Sequence, residues 1–249
     1  MFKELALAFG FLTIIPMPHV SYGANELGRA GKWFPFVGLV LGGILVGVYI
    51  PFMMVFPPFL AGALTVVAWV MLTGGLHLDG LADCFDGMSA AVSVERRLEI
   101  MRDPRMGAFG GIGLTLFLIL KVTAAGFLHD QIFALLFAPI VARFTLLIVA
   151  RLRPARPGGL GAWFASEIGI GSLIVASIIP LAMIPFGFFG LNCRIWMSCA
   201  ALTAAVVMTL HVIMIARSRL GGMTGDVLGL TVELSELAVL LVFASTFRI

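Results

Sequence analysis

Apolar residues recur along this chain in blocks rather than in short alternating runs. Seven blocks, at 33–55, 58–77, 108–128, 131–150, 169–190, 194–215 and 230–248, approach or exceed the roughly 20 residues that a helix needs to cross a bilayer core. Backbone polar groups in lipid must be satisfied within the segment, so each block is expected to be a helix. The ten-residue alternation of an outer-membrane barrel is absent. A shorter run from Leu5 to Met17 reads as an interfacial or re-entrant helix. The pattern predicts an all-α, polytopic membrane bundle of about seven transmembrane helices plus that short N-terminal helix, as a single domain over 1–249. Glu233 and Glu236 near the start of the last block leave its boundary open.

The blocks divide the polar segments between two sides. On one fall the N-terminus and residues 19–32, 78–107, 151–168 and 216–229; on the other fall Pro57–Pro58, His129–Asp130 and Leu191–Cys193. Lys3, Arg29, Lys32, Arg96, Arg97, Arg102, Arg105, Arg151, Arg153, Arg156, Arg217 and Arg219 lie on the first side, and only Arg194 and Arg248 on the second. The positive-inside rule makes the first side cytoplasmic, and the membrane is expected to be the cytoplasmic (inner) one. Asp79, Asp83, Asp86, Glu95, Glu99, Asp103, Glu167 and Asp226 share it, so the chemistry is expected at the cytoplasmic face.

Composition agrees. The chain has 249 residues, 61% hydrophobic and 12% charged, about half the roughly 25% charge of a soluble domain. Its mean hydropathy is +1.10. Soluble, disordered, collagen-like and disulfide-stapled classes are excluded. Net charge is +3, from 16 Lys/Arg and 13 Asp/Glu, and nothing in it suggests nucleic acid. Cys84, Cys193 and Cys199 form no spaced pair and read as packing residues. No cleavable signal peptide is evident: Lys3 and Glu4 precede a short apolar run, and Pro16 and Pro18 follow it without a small-residue cleavage site. No internal repeat stands out, and oligomeric state stays open, a homo-oligomer included. Lys121 and Arg143 lie in mid-span, where a functional site and a purely structural ion pair are both open readings.

The informative segment is Gly74-Gly-Leu-His-Leu-Asp-Gly-Leu-Ala-Asp-Cys-Phe-Asp-Gly87. Asp79, Asp83 and Asp86 are spaced i, i+4, i+7 and share one helical face. Like charges so placed repel, more so near lipid, and no basic residue follows within a turn. A bound cation would supply the missing charge. Val94–Arg102 reads as a short helix capped by Ser93, with Glu99 and Asp103 at i, i+4 among Arg96, Arg97, Arg102 and Arg105. Oxygen-only ligands suit Mg²⁺ or Mn²⁺, and interleaved arginines suit a phosphate-bearing substrate. The other reading is a solvated acidic helix end with ordinary salt bridges.

Gly107-Ala-Phe-Gly-Gly-Ile-Gly113 opens the third block and reads either as an anion-holding helix start or as a packing surface. Arg217-Ser-Arg-Leu-Gly-Gly-Met-Thr-Gly-Asp226 has the composition of an anion-binding loop, with Arg217, Thr224 and Asp226 as candidate contacts. Lys32 and His77 are further substrate-contact candidates.

These segments, with Phe11-Leu-Thr13, Pro16-Met-Pro18 and Phe34-Pro-Phe-Val-Gly38, resemble the cobalamin synthase (adenosylcobinamide-GDP ribazoletransferase) family from end to end. The strongest matches are GGLHLDGLADCFDG at 74–87, RRLEIMRDPRMGAFG at 96–110 and GGMTGDVLG at 221–229. The resemblance implies a Mg²⁺-dependent membrane transferase. It would join adenosylcobinamide-GDP to α-ribazole, or its 5′-phosphate, and release GMP. Asp83-Cys-Phe-Asp86-Gly and Glu99-x-x-x-Asp103 are similar to the metal motif of CDP-alcohol phosphatidyltransferases. That likeness implies metal ligands among Asp79, Asp83, Asp86, Glu99 and Asp103, catalytic roles for Asp83, Asp86 and Asp103, and Asp103 as the base. Arg96, Arg102, Arg105 and the 217–226 loop would hold nucleotide phosphates. The middle Ala-Arg of that motif is missing, since Ala91 follows Ala90. A CDP-alcohol phosphatidyltransferase making phospholipid, and a small-solute transporter using Lys121 and Arg143, are the alternative readings.

Overall fold

A computed structural model describes residues 1–18, 24–128, 131–156, 168–191 and 193–245. His129, Asp130, Glu167, Asn192, Arg248 and the end of the last block lie outside the described residues. The described chain is helical: α1 (Phe2–Leu12), α2 (Ala24–Ala30), α3 (Phe34–Val55), α4 (Pro58–Thr73), α5 (Leu76–Ser89), α6 (Val94–Ile100), α7 (Ala108–Gly126), α8 (Phe133–Ala150), α9 (Ile170–Leu191), α10 (Ile195–Leu220) and α11 (Gly225–Ala244). The one β-feature among the described residues is an isolated bridge between Pro154 and Met223.

Among the described residues, six helices are long and apolar enough to cross a membrane, or up to seven with the bent pair α4–α5. The expected block at 58–77 ends early. Gly74 and Gly75 take φ of +64° and +71°, a left-handed conformation that only glycine adopts without strain. Their N–H groups donate to the carbonyls of Met71 and Val70, at 3.2 and 3.1 Å, which closes α4 with a Schellman motif. The chain then turns by 92°, so α5 lies across the helix ends rather than through the membrane. The last block starts earlier than its apolar run suggests, at Gly225, which places Glu233 and Glu236 inside α11.

Two helices, α8 and α11, are buried along most of their length and form the core of the bundle. Around them pack α3, α4, α7, α9 and α10, whose outward faces keep large apolar side chains exposed, as a lipid-facing surface requires. Helix α1 is not a span. Its face of Ala6, Leu7, Phe9 and Leu12 is buried, Phe11 stacks on Phe34 with ring centroids 5.8 Å apart, and Ile14 N–H donates to Leu72 O at 2.9 Å. It therefore sits at the end of the bundle where α4 gives way to α5.

Lys121 and Arg143 do not snorkel. They are buried and pair with Glu233 and Glu236 of α11. Mutual pairing makes four charges tolerable in the apolar interior, where any one alone would be expensive.

Candidate active site at the basic end of the bundle

Helix α5 is amphipathic across its short length. His77, Leu78, Gly80, Leu81, Cys84 and Gly87 are buried, while Asp79 is exposed and Asp83 and Asp86 are half-buried. The buried side rests on α11 and α7. Close approach there depends on having no side chain: a Cβ on Gly80 would lie 2.9 Å from the Cα of Asp226, and one on Gly229 would lie 3.0 Å from the carbonyl of His77.

This contact brings Asp226, in the first turn of α11, against the acidic face of α5. Asp79 and Asp226 line one cavity of about 130 Å³, with His77, Gly80 and Gly225 at its walls and Phe11 of α1 beside them. Burial, reinforced by the charges of Asp79, Asp226 and Asp86, pushes the Asp83 carboxyl up to about 7. Asp79 and Asp83 make no ion pair among the described residues, and Asp226 accepts only from the Thr224 hydroxyl, at 3.2 Å. Thr224 also caps α11, accepting from Val227 N–H at 3.3 Å. Thr224 and Asp226, read from the sequence as contacts of an anion-binding loop, thus form a capped turn that turns Asp226 toward the acidic face of α5.

Asp86 is differently engaged. Its two carboxylate oxygens accept from the backbone N–H groups of Gly107 and Gly110, at 2.7 and 2.8 Å. The N-terminal amides of α7 therefore hold a carboxylate of the protein itself. The glycines of 107–110 serve that approach, since a Cβ at either position would collide with Asp86.

The second acidic pair does not join this group. Glu99 is exposed and pairs with Arg96 at 2.7 Å. Asp103 is gripped at both oxygens by the Arg105 guanidinium, at 2.9 and 2.7 Å, which holds its carboxyl well below the usual carboxylate range. The grouping of five carboxylates expected from the sequence is thus corrected to Asp79 and Asp226 at one cleft, with Asp83 and Asp86 beside them on α5. The reason is local: arginines one turn or less away capture Glu99 and Asp103 before α5 can. A proton-accepting role for Asp103 is disfavoured by the same pair. Among the described residues, no three acidic, histidine or cysteine side chains converge tightly enough to hold a metal ion by themselves.

The basic candidates are likewise sorted. Arg96 and Arg105 are occupied by these pairs. Arg97 donates to the carbonyls of Ala90 and Arg219, both at 3.1 Å, and ties α6 to the end of α10. Arg102 and Arg217 are exposed. Lys32 pairs with Glu4 of α1 at 2.9 Å, and that pair draws it away from the substrate contact expected of it. His77 is buried, with 3% of its surface exposed, so it forms the floor of the cleft rather than an open contact. Sequence reasoning passed over the 151–156 segment as topology charge alone. Met223 N–H donates to Arg153 O, and Ala155 N–H donates to Met223 O, each at 2.9 Å. This clip brings Arg153 next to the Thr224–Asp226 turn. Gly222 makes it feasible, because a Cβ there would meet Ala155 N at 2.8 Å. The Gly221-Gly222 pair was the only signal in the sequence.

Comparison with known proteins bears on this arrangement. A family model described as cobalamin-5-phosphate synthase matches residues 4–244. An adenosylcobinamide-GDP ribazoletransferase of Thermoanaerobacter pseudethanolicus is 35% identical, covering 98% of this chain and 97% of its own. One from Brevibacillus brevis is 34% identical over 96% and 97% of the two chains, and one from a Roseiflexus species is 37% identical over 96% and 88%. No solved structure matches. A match over nearly the whole chain places this protein in the cobalamin-5-phosphate synthase family.

Proposed function

We propose that this protein joins adenosylcobinamide-GDP to α-ribazole, or its 5′-phosphate, releasing GMP, in a Mg²⁺-dependent reaction at the cytoplasmic face of the inner membrane. The activity for which its relatives are named supports the substrates. The observation that carries the chemistry is the cavity lined by Asp79 and Asp226, with Asp83 close enough to feel both charges and no cation of the protein paired with any of the three among the described residues.

That donor set fits Mg²⁺. It offers oxygen only, and Mg²⁺ is commonly held by one or two carboxylates together with substrate phosphates rather than by a full protein cage. Asp79 and Asp226, which line the cavity, would hold the ion together with the substrate phosphates, with Asp83 beside them. When bound, it would neutralise the diphosphate and stabilise the departing GMP. Asp86, fixed by the α7 amides, and Glu99, on α6, stand outside this set.

The reaction forms a bond between the ribose hydroxyl oxygen of the acceptor and the phosphorus nearer the cobinamide. It breaks that phosphorus's bond to the bridging oxygen, which leaves on GMP. The hydroxyl proton goes to a carboxylate, and Asp83 is the best suited because its affinity for a proton is matched to neutral pH. Arg102 and Arg217, exposed and free of ion pairs among the described residues, and Arg153, clipped beside Asp226, would bind the nucleotide phosphates. The floor at His77 and the walls at Phe11 and Gly225 exclude water from one side.

Purified protein in detergent, given both substrates with and without Mg²⁺, tests the proposal. It expects GMP release that requires both the acceptor and the metal. GMP release without acceptor, or metal-independent turnover, contradicts it.

A further inference from the structure

Four ionised side chains are sealed within the bundle below the acidic cleft. Lys121 on α7 donates to Glu233 and Glu236 of α11, each at 2.6 Å. Arg143 on α8 donates to the other oxygen of Glu236. The Lys121 ammonium also lies over the Trp69 ring of α4, 4.4 Å from its centroid. None of the four charged side chains is more than 4% exposed. Two cations meet two carboxylates, so the network is neutral as a whole.

Its position relative to the cleft is set by α11. Asp226, Gly229, Glu233 and Glu236 follow at i, i+3, i+7 and i+10 and so share one side of that helix. Asp226 and Glu233 are seven residues apart, about 10 Å along the axis at 1.5 Å per residue. Between them, Gly229 lies against the backbone of His77, and a Cβ there would also come within 3.4 Å of Gly80 Cα. Apolar packing around a buried helix such as α11 is largely non-directional, so by itself it specifies the helix's rotation weakly. Ion pairs from two different helices onto one side of α11 remove that freedom.

The geometry points to the Lys121–Glu233–Glu236–Arg143 network as a positioning device that fixes the rotation of α11 and thereby aims Asp226 at Asp79 and Asp83. The network itself touches no substrate. The inference rests on the proposed metal cleft for its consequence in catalysis, but its geometric content stands apart from any metal.

The test uses the full-length protein and the double variant Lys121→Met/Glu233→Gln, which removes one charge of each sign and leaves the Arg143–Glu236 pair intact. Such balanced removal is better tolerated than breaking a pair, and a melting temperature within about 5 °C of wild type is expected. Two readouts follow. In a background with Cys84, Cys193 and Cys199 replaced by Ala, Asp79→Cys/Asp226→Cys is oxidised with copper–phenanthroline. The network variant should cross-link about fivefold or more slowly, within the range of coupling carried through packed elements. In the chain with native carboxylates, Mn²⁺ affinity measured by electron paramagnetic resonance should weaken by a similar factor. Unchanged cross-linking and unchanged Mn²⁺ affinity would overturn the inference. If the double variant does not fold, Glu233→Asp keeps every charge, shortens one arm and gives the same two readouts. Asp79→Asn tests the metal reading separately: if it binds Mn²⁺ as wild type does, that reading fails, and the cross-linking rate still decides whether the network positions α11.

Discussion

Gly80 of α5 and Asp226 of α11 meet backbone to backbone: a Cβ at position 80 would lie 2.9 Å from both the Cα and the carbonyl oxygen of Asp226. Two acidic segments separated by 146 residues in sequence (226 minus 80) become one site through this contact. Gly80→Ala must push α11 away from α5, because the neighbouring atoms of Asp226 are main chain and cannot rotate aside. Overpacking of this kind destabilises by about 1–3 kcal/mol. Thermal unfolding should shift down accordingly, and GMP release should fall further than stability alone explains.

Asp83 and Asp103 should separate cleanly. Asp83 faces other carboxylates, whereas Asp103 is matched by Arg105. Asp83→Asn should reduce metal-dependent turnover by about 100-fold or more, the scale typical of general acid–base and metal-site lesions. Asp103→Asn should stay within about tenfold of wild type, since it removes an exposed ion pair worth little. Initial rates at saturating substrate measure both, and equal losses would move the centre of the site toward α6.

The proton affinity of Asp83 gives a pH signature. Its folded value is raised to about 7, from an ordinary 3.8. A raised carboxyl contributes stability that is fully present below pH 4 and lost as pH rises through 7. Metal-free protein should therefore lose melting temperature between about pH 4 and 7, and saturating Mg²⁺ should flatten that slope by supplying positive charge. Parallel melting curves with chelator and with Mg²⁺ check this. A chelator curve that rises through the same window contradicts it.

Asp86 should matter for structure. Its oxygens accept from Gly107 and Gly110 at the start of α7, in the manner of a helix cap. Asp86→Ala should cost about 0.5–2 kcal/mol, and Asp86→Asn somewhat less, because the amide oxygen still accepts one bond. Unfolding in detergent measures the difference, and Mn²⁺ affinity should change less than in Asp83→Asn.

The number of crossings, their helical nature, the shared basic end and the acidic face of α5 were all legible in the order of residues. Hydrophobic blocks and i, i+4, i+7 spacing are local properties, and lipid permits few other answers to them. The bend at Gly74-Gly75 was less legible. Nothing in an apolar run announces that two glycines will turn left-handed, so the block at 58–77 read as continuous.

What the sequence determined by itself was a helical membrane protein with its charge gathered at one end, and a cobalamin synthase likeness carried by three polar segments. Only the tertiary structure decided which charges meet. Asp226 joins Asp79 and Asp83 because two glycines let α5 and α11 touch, Asp103 leaves because Arg105 is nearer, and Lys121 and Arg143 find Glu233 and Glu236 across helices. The reason is physical: a charge in a low-dielectric bundle takes the partner that packing brings within reach, and packing is a property of the whole chain.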